Sequence, residues 1–215
     1  MLCMRGDDFM QLLSIDSPVT RFLEFLFELI ILNLLTIICC LPVVTVGPAV
    51  TALYRSVFNM RLGAGYTVKG YFKAFKENFR PASLLSLICI AICVSFLLYI
   101  FLLRDLLAAG NVLTWIAIFA VGAFFFFPMT FVFPLLSKFE SGAIKTSINS
   151  ILLSVRHIFT AAVTLILHGI PIALLIARPS WFLVSLPIWF FIGFALIAWL
   201  ASGLFLRIFR QYAEL

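Results

Sequence analysis

The sequence predicts an all-α protein: a polytopic membrane helix bundle with five transmembrane helices and additional cytoplasmic amphipathic helices. Hydrophobic residues make up 64% of the 215 residues and charged residues only 11%, against about half and about a quarter in soluble domains. Several apolar runs exceed the roughly 18 residues that indicate a membrane span. Because a core of this size cannot bury such an excess, we expect one membrane domain over residues 1–215.

Span 1 is predicted over about residues 22–41. Pro42 must bend or end this helix, and Gly47 and Pro48 form a second break. The uncharged run 29–54 is therefore predicted to be a helix followed by a turn, and not one continuous rod.

Residues 48–81 are predicted to form two amphipathic helices on the cytoplasmic surface, separated at 63–65. The second carries an aromatic stripe of Phe72, Phe75 and Phe79. Beside it runs a basic stripe of Lys69, Lys73, Lys76 and Arg80. Phenylalanine at the acyl boundary with lysine towards phosphate is typical of an interfacial helix. The alternative is that Phe79 and its neighbours simply begin span 2.

Two hairpins of spans are predicted to complete the chain, over residues 82–137 and 158–206. The first reverses at 104–111 and the second at 178–180. A polar loop, 138–157, joins the two hairpins and contains another amphipathic stretch.

The distribution of lysine and arginine orients these five spans. The amino-terminal lead and the two short reversals carry four Lys and Arg, whereas 48–81, 138–156 and the tail carry eleven. The positive-inside rule therefore predicts an external amino terminus and a cytoplasmic carboxyl terminus. The same bias accounts for the net charge of +6, so no nucleic-acid partner is expected.

The candidate functional residues are the polar side chains within predicted spans: Glu24, Glu28, Asn33, Thr36 and His168. Ionisable groups at membrane depth are candidates by default. Glu28 either faces a partner inside the bundle or marks the interface, because the uncharged run begins at the next residue. His168, near the middle of span 4, either titrates as a functional group or stays neutral and hydrogen-bonds a facing Ser, Thr or carbonyl.

No catalytic, cofactor-binding or metal site is predicted, and the chain is not expected to be an enzyme. Cys89 and Cys93 share a helix face, but no His, Asp or Glu lies near them in sequence. They are interpreted as small apolar residues that fill space. The glycines at 63 and 65 lack the preceding strand of a phosphate-binding loop.

Four motifs lie within residues 21–85: Asn33-Leu34-Leu35, LPVVTVG at 41–47, Ala52-Leu53-Tyr54, and Phe75 to Phe79 with Phe72 in register. Through these motifs the segment resembles the YesL family of small bacterial membrane proteins, whose function is unknown. Members are often encoded beside carbohydrate ABC-transporter and sugar-utilisation genes. The resemblance implies a bacterial cytoplasmic membrane protein that is accessory to carbohydrate uptake, and it carries over no binding or catalytic residue.

Three functional hypotheses follow. The first is an accessory protein that contacts the permease subunits of a carbohydrate ABC transporter. The second is a stand-alone small-solute transporter or channel, whose polar path would depend on Asn33, Thr36 and His168. The third is a membrane scaffold that binds anionic lipid through the basic stripe. The expected partners are accordingly the lipid bilayer, permease subunits and anionic lipid.

Overall fold

The computed structural model describes residues 18–65, 68–139 and 142–213. These residues are almost entirely helical. The α-helices are α1 (Pro18–Cys39), α2 (Val46–Arg61), α3 (Val68–Glu77), α4 (Phe79–Leu102), α5 (Arg104–Ala108), α6 (Val112–Lys138), α7 (Ala143–Arg156), α8 (Ile158–Ala177), α9 (Pro179–Ile188) and α10 (Phe194–Ala213). A 3₁₀ turn, Val43–Thr45, precedes α2, and a π-helical segment, Trp189–Gly193, joins α9 to α10. The amino-terminal lead of the predicted domain lies outside the described residues.

Five helical segments are long and apolar enough to cross a membrane: α1, α4, α6, α8 and the run from α9 into α10. The predicted all-α, multi-pass class is therefore confirmed. Large side chains such as Phe119 and Phe124, each 71% exposed, cover the outer faces of these helices. Many inner positions carry Ala, Ser and Thr, which pack beside buried large residues such as Phe131 and Phe205. This is the arrangement expected in lipid, where helices associate through small residues because the hydrocarbon already solvates large apolar ones.

The helix at the centre of the bundle is α2. Ten of its sixteen residues are buried, and it contacts α1, α3, α4, α6 and α10. The polar residues Thr51 and Ser56 are buried as well, and their hydroxyls donate to the backbone carbonyls of Gly47 and Ala52. The prediction that this helix lies on the membrane surface is therefore wrong. The hydroxyls of its small polar residues are already hydrogen-bonded to carbonyls of the same helix. These residues can therefore pack against neighbouring helices without leaving a polar group unpaired.

The directions of α1 and α10 are opposed where they meet. Asn33 contacts Trp189, Phe190 and Ala195, whereas Phe25, two turns earlier in α1, stacks edge-on against Trp199 at 5.0 Å between ring centroids. Earlier residues of α1 thus meet later residues of α10. Five strictly alternating spans would instead make the first and the last parallel.

Helix α2 contacts the same part of α10. Tyr54 packs on Phe205, whereas Arg61, two turns later in α2, reaches back to Trp199. Because α1 and α10 are antiparallel where they meet, the Pro18 end of α1 points towards the carboxyl end of α10, whereas the sequence predicts the two termini on opposite sides.

Lysine and arginine are distributed unevenly between the two ends of the long helices. Among the Lys and Arg residues of the three described ranges, only Arg104 and Arg178 lie in the reversals that follow α4 and α8. The positive-inside rule therefore predicts that the side that carries α3 and α7 is cytoplasmic.

Cysteine accessibility tests the arrangement. In a background without native cysteines, Val19→Cys and Gln211→Cys are expected to react with a membrane-impermeant maleimide from the same side. Ala109→Cys, in the reversal between α5 and α6, is expected to react from the other side. Labelling of intact cells and of inverted vesicles measures this directly. Reaction of Val19→Cys together with Ala109→Cys would restore the five-span alternation.

Helix α7 occupies most of the predicted polar loop 138–157. Its Thr146, Ser150 and Ser154 are buried and face the bundle, where α7 contacts α6, α4 and α8. A second face is apolar and exposed: Ile144, Ile148, Ile151, Leu152 and Val155. A third face carries Lys145, Asn149 and Arg156, all exposed. Helix α7 thus has one face packed against the protein, one apolar exposed face and one basic face. This pattern is typical of a helix that lies along a membrane boundary.

The turn at His157, between α7 and α8, joins this boundary helix to the end of α10. The ring nitrogen Nε2 of His157 lies 3.3 Å from the hydroxyl oxygen of Tyr212. Partial burial, together with the adjacent Arg156, lowers the pKa of His157.

Candidate functional site

A groove opens between the carboxyl end of α1, the amino-terminal half of α2, α8 and α10. We call it the His168 groove; its volume is about 550 Å³. Its wall is formed by Thr36, Ile37, Cys40, Leu41, Val46, Val50, Leu53, Tyr54, His168, Pro171, Phe194, Ile197 and Ala198. These lining residues include no Lys, Arg, Asp or Glu. A mainly apolar cavity with a few fixed polar groups is the usual form of a small-molecule site.

The polar group of this groove is a pair formed by Tyr54 and His168. The Tyr54 hydroxyl oxygen lies 3.2 Å from Nε2 of His168, and Nδ1 of the same ring lies 2.8 Å from the carbonyl oxygen of Thr164. Because a carbonyl oxygen can only accept, Nδ1 carries the hydrogen. In the neutral ring Nε2 is then the acceptor, and Tyr54 donates to it. His168 thus hydrogen-bonds a carbonyl and a facing hydroxyl, close to the neutral interpretation of the sequence.

Packing on α2 holds Tyr54 in place. Its side chain is only 2% exposed and lies against the rings of Phe58 and Phe205. His168, in contrast, keeps exposed surface within the groove. The fixed phenol therefore orients a partly accessible imidazole halfway along α8.

Asn33 has a structural role that its position in span 1 did not reveal. Its side-chain nitrogen donates to the carbonyls of Trp189, at 3.0 Å, and Phe190, at 2.6 Å. Its side-chain oxygen accepts from the backbone N–H of Ala195 at 2.9 Å. A π-helical turn displaces backbone groups from their usual helical partners, and this amide supplies replacements. Asn33 fastens α1 to the π segment.

Thr36 is also occupied. Its hydroxyl donates to the carbonyl of Leu32 at 2.7 Å and lies 3.4 Å from the hydroxyl of Tyr71. Tyr71 in turn donates to the carbonyl of Ala49 at 3.2 Å. The hydroxyl of Thr36 and the amide of Asn33 therefore hydrogen-bond within the bundle, and Thr36 also lines the His168 groove.

The two acidic candidates lie on the first turns of α1. Glu24 is exposed and Glu28 is half-buried, so the bundle encloses neither carboxylate. This placement favours the interpretation of Glu28 as a residue near the membrane boundary.

The basic stripe lies on α3 and the start of α4, where Lys69, Lys73, Lys76 and Arg80 are all exposed. Lys73 pairs with Glu77 on the next turn at 3.8 Å. Beside the stripe, Phe72 and Phe79 are 40% and 37% exposed. Tyr71, Ala74 and Asn78 are buried on the remaining side. Helix α3 therefore has the same three faces as α7, as the interfacial prediction requires.

Sequence reasoning missed the contact that Arg61 makes with α10. Its guanidinium donates to the carbonyl of Trp199 and to the hydroxyl of Ser202, both at 2.6 Å, and lies 3.9 Å from the Trp199 ring centroid. It belongs to the basic residues counted for orientation, but here it fastens the end of α2 to α10. Its spacing of seven residues from Tyr54 places both on one helix face, which was the available signal.

Comparison with known proteins gives one match. Residues 29–100 match the family model described as "Protein of unknown function, DUF624". The matched range begins within α1 and ends near the end of α4, so it contains α2, the basic stripe and Asn33. No curated protein and no solved structure matches the chain.

Proposed function

We propose that this multi-pass membrane protein belongs to the YesL family and assists a carbohydrate ABC-type uptake system in the bacterial cytoplasmic membrane by contacting its permease subunits. The family-model match to a domain of unknown function supports the family part of this proposal, because residues 29–100 contain all four resemblance motifs. The association with carbohydrate uptake rests on the resemblance.

The exposed basic stripe is the observation that supports a role in binding a partner. Three of its four cationic side chains lie on one face of α3, whose opposite side is fixed by buried Tyr71 and Ala74, and Arg80 follows at the start of α4. The stripe is therefore held rigidly on the side that we expect to be cytoplasmic. A rigid patch of like charge suits an acidic partner surface, because charge complementarity steers and orients association.

Co-purification from native membranes tests the proposal. The wild-type protein is expected to recover permease subunits after mild crosslinking, and the variant Lys69→Gln/Lys73→Gln/Lys76→Gln to recover at least fivefold less. A matched control, Arg104→Gln/Arg178→Gln, removes charge from the opposite side and is expected to behave like wild type. Recovery of no transporter component with the wild-type protein would count decisively against an accessory role.

A second candidate function is anionic-lipid binding, which the matching three-faced form of α3 and α7 favours. Each helix places a basic face next to an exposed apolar face, so lysine and arginine would meet headgroups while Phe and Ile meet acyl chains. Basic residues near an anionic surface contribute about 1 kcal/mol each.

Purified protein separates this candidate from the first, because no protein partner is present. In nanodiscs of mixed phosphatidylglycerol and phosphatidylcholine, retention of phosphatidylglycerol by native mass spectrometry is expected to fall several-fold in the triple Lys→Gln variant. Equal retention of phosphatidylglycerol by the wild type and the triple variant would contradict lipid binding by the basic stripe and would favour a protein partner.

A further inference from the structure

We infer that the His168 groove binds an uncharged chain-like alcohol that enters from the bilayer. This inference does not depend on the proposed function, because the groove and the basic stripe share no residue. Its basis is the chemistry of the groove wall, the hydrogen-bonding capacity left at Tyr54, and the apolar surface beside the groove.

The wall selects an uncharged and mainly apolar ligand. Eight of its residues are the aliphatic Ile37, Leu41, Val46, Val50, Leu53, Pro171, Ile197 and Ala198, and Phe194 adds an aromatic ring. None of the lining residues provides a formal counter-charge to a carboxylate, phosphate or ammonium group. Burying an ion without a partner is costly. A volume of about 550 Å³ lies within the range of roughly 300–1,000 Å³ found for small-molecule sites.

The hydroxyl oxygen of Tyr54 can accept a hydrogen bond from a ligand. Tyr54 spends its one hydrogen on Nε2 of His168, and the hydrogen on Nδ1 goes to the carbonyl of Thr164. In its hydrogen bond to His168 the Tyr54 hydroxyl is the donor. Its oxygen can therefore still accept a hydrogen bond. A ligand hydroxyl can supply the missing donor while remaining uncharged. A hydrocarbon offers no donor, a carboxylate only accepts, and an amine is charged.

The exposed surface beside the groove is apolar. Leu41, which lines the groove, is 77% exposed and belongs to the uncharged run from Leu29 to Tyr54. The next residues, Pro42, Val43 and Val44, are exposed and uncharged as well. Such a surface is compatible with hydrocarbon, so the ligand reaches the groove as a membrane-dissolved molecule.

Photoaffinity labelling tests the inference. The probe is 1-dodecanol carrying a diazirine in its chain, added to the full-length protein in phosphatidylcholine vesicles, with labelled peptides located by mass spectrometry. Labelling is expected on the groove segments of α2, α8 and α10, and unlabelled dodecanol is expected to compete at least fivefold better than dodecane. Equal competition by the alkane, or labelling confined to outer helix faces, would overturn the inference.

Three variants give the chemical control. Tyr54→Phe is expected to lower groove labelling about fivefold, the equivalent of one hydrogen bond of about 1 kcal/mol. Tyr71→Phe removes a buried hydroxyl outside the groove and is expected to label like wild type. Val50→Phe fills the groove, leaves the polar pair intact and is expected to abolish labelling, provided that size exclusion shows a folded protein. Unchanged labelling in Val50→Phe would refute the site even if Tyr54→Phe failed to fold.

Discussion

Replacing Asn33 with leucine is expected to lower the free energy of unfolding by about 3–5 kcal/mol, because an unsatisfied buried polar group costs about 1–3 kcal/mol. The Asn33 side chain is fully buried and satisfies three backbone groups around the π segment, the carbonyls of Trp189 and Phe190 and the N–H of Ala195. Leucine is close in size but satisfies none of them. Denaturant unfolding in detergent, followed by tryptophan fluorescence, measures the loss.

Thr36→Val is the matched control for this prediction. Thr36 lies one turn later on α1 and is also buried, but its hydroxyl donates to a carbonyl of its own helix. Valine keeps the shape and leaves that carbonyl with its helical partner. The expected cost is below about 1 kcal/mol. Equal destabilisation by the two substitutions would show that Asn33 acts through general packing and not through the π segment.

Replacing Gly47 with alanine is expected to disrupt the contact between α2 and α4 and to reduce folded yield several-fold. A β-carbon at Gly47 would overlap the carbonyl oxygen of Ala82 and lie 2.8 Å from the β-carbon of Ser86. The overlapped atom belongs to the backbone of a helix, so a rotamer change cannot relieve it. Overpacking of this kind typically costs about 1–3 kcal/mol or more. Fluorescence-detected size exclusion reports the yield.

Gly169→Ala tests whether the effect is specific to this site. Gly169 is also helical, but a β-carbon there would meet nothing within 4 Å. Alanine is expected to be neutral or slightly stabilising there, because it favours helix over glycine by up to about 1 kcal/mol. A normal yield for Gly47→Ala would mean that α2 and α4 can move apart.

The sequence was sufficient for properties that depend on composition along a helix. Long uncharged runs predicted the membrane spans, and the spacing of Phe and Lys predicted an aromatic and a basic stripe on α3 and the start of α4. Both signals are local, because each residue's environment follows from its neighbours at helical spacing. The four residues of the basic stripe are exposed.

The position of α2 was not predictable by the same method. Thr51, Ser56 and Arg55 resemble the polar side of a surface helix, yet the two hydroxyls bond their own backbone. Amphipathicity measures polarity and does not show whether polar atoms are already satisfied. The pairing of Tyr54 with His168, and of Asn33 with a π turn, joins residues 114 and more than 150 positions apart, so local periodicity carries no information about either.

The central place of α2 has a consequence for the order of events during synthesis. Its partners α4, α6 and α10 are all made later, and Phe205 and Phe209 are made long after Tyr54 and Phe58, against which they pack. The nascent α1–α2 hairpin therefore waits in the membrane with its small-residue faces uncovered. Release of the chain before Phe205 would truncate α10 and leave α2 without two of its aromatic partners, and we expect quality-control proteases to remove such a species.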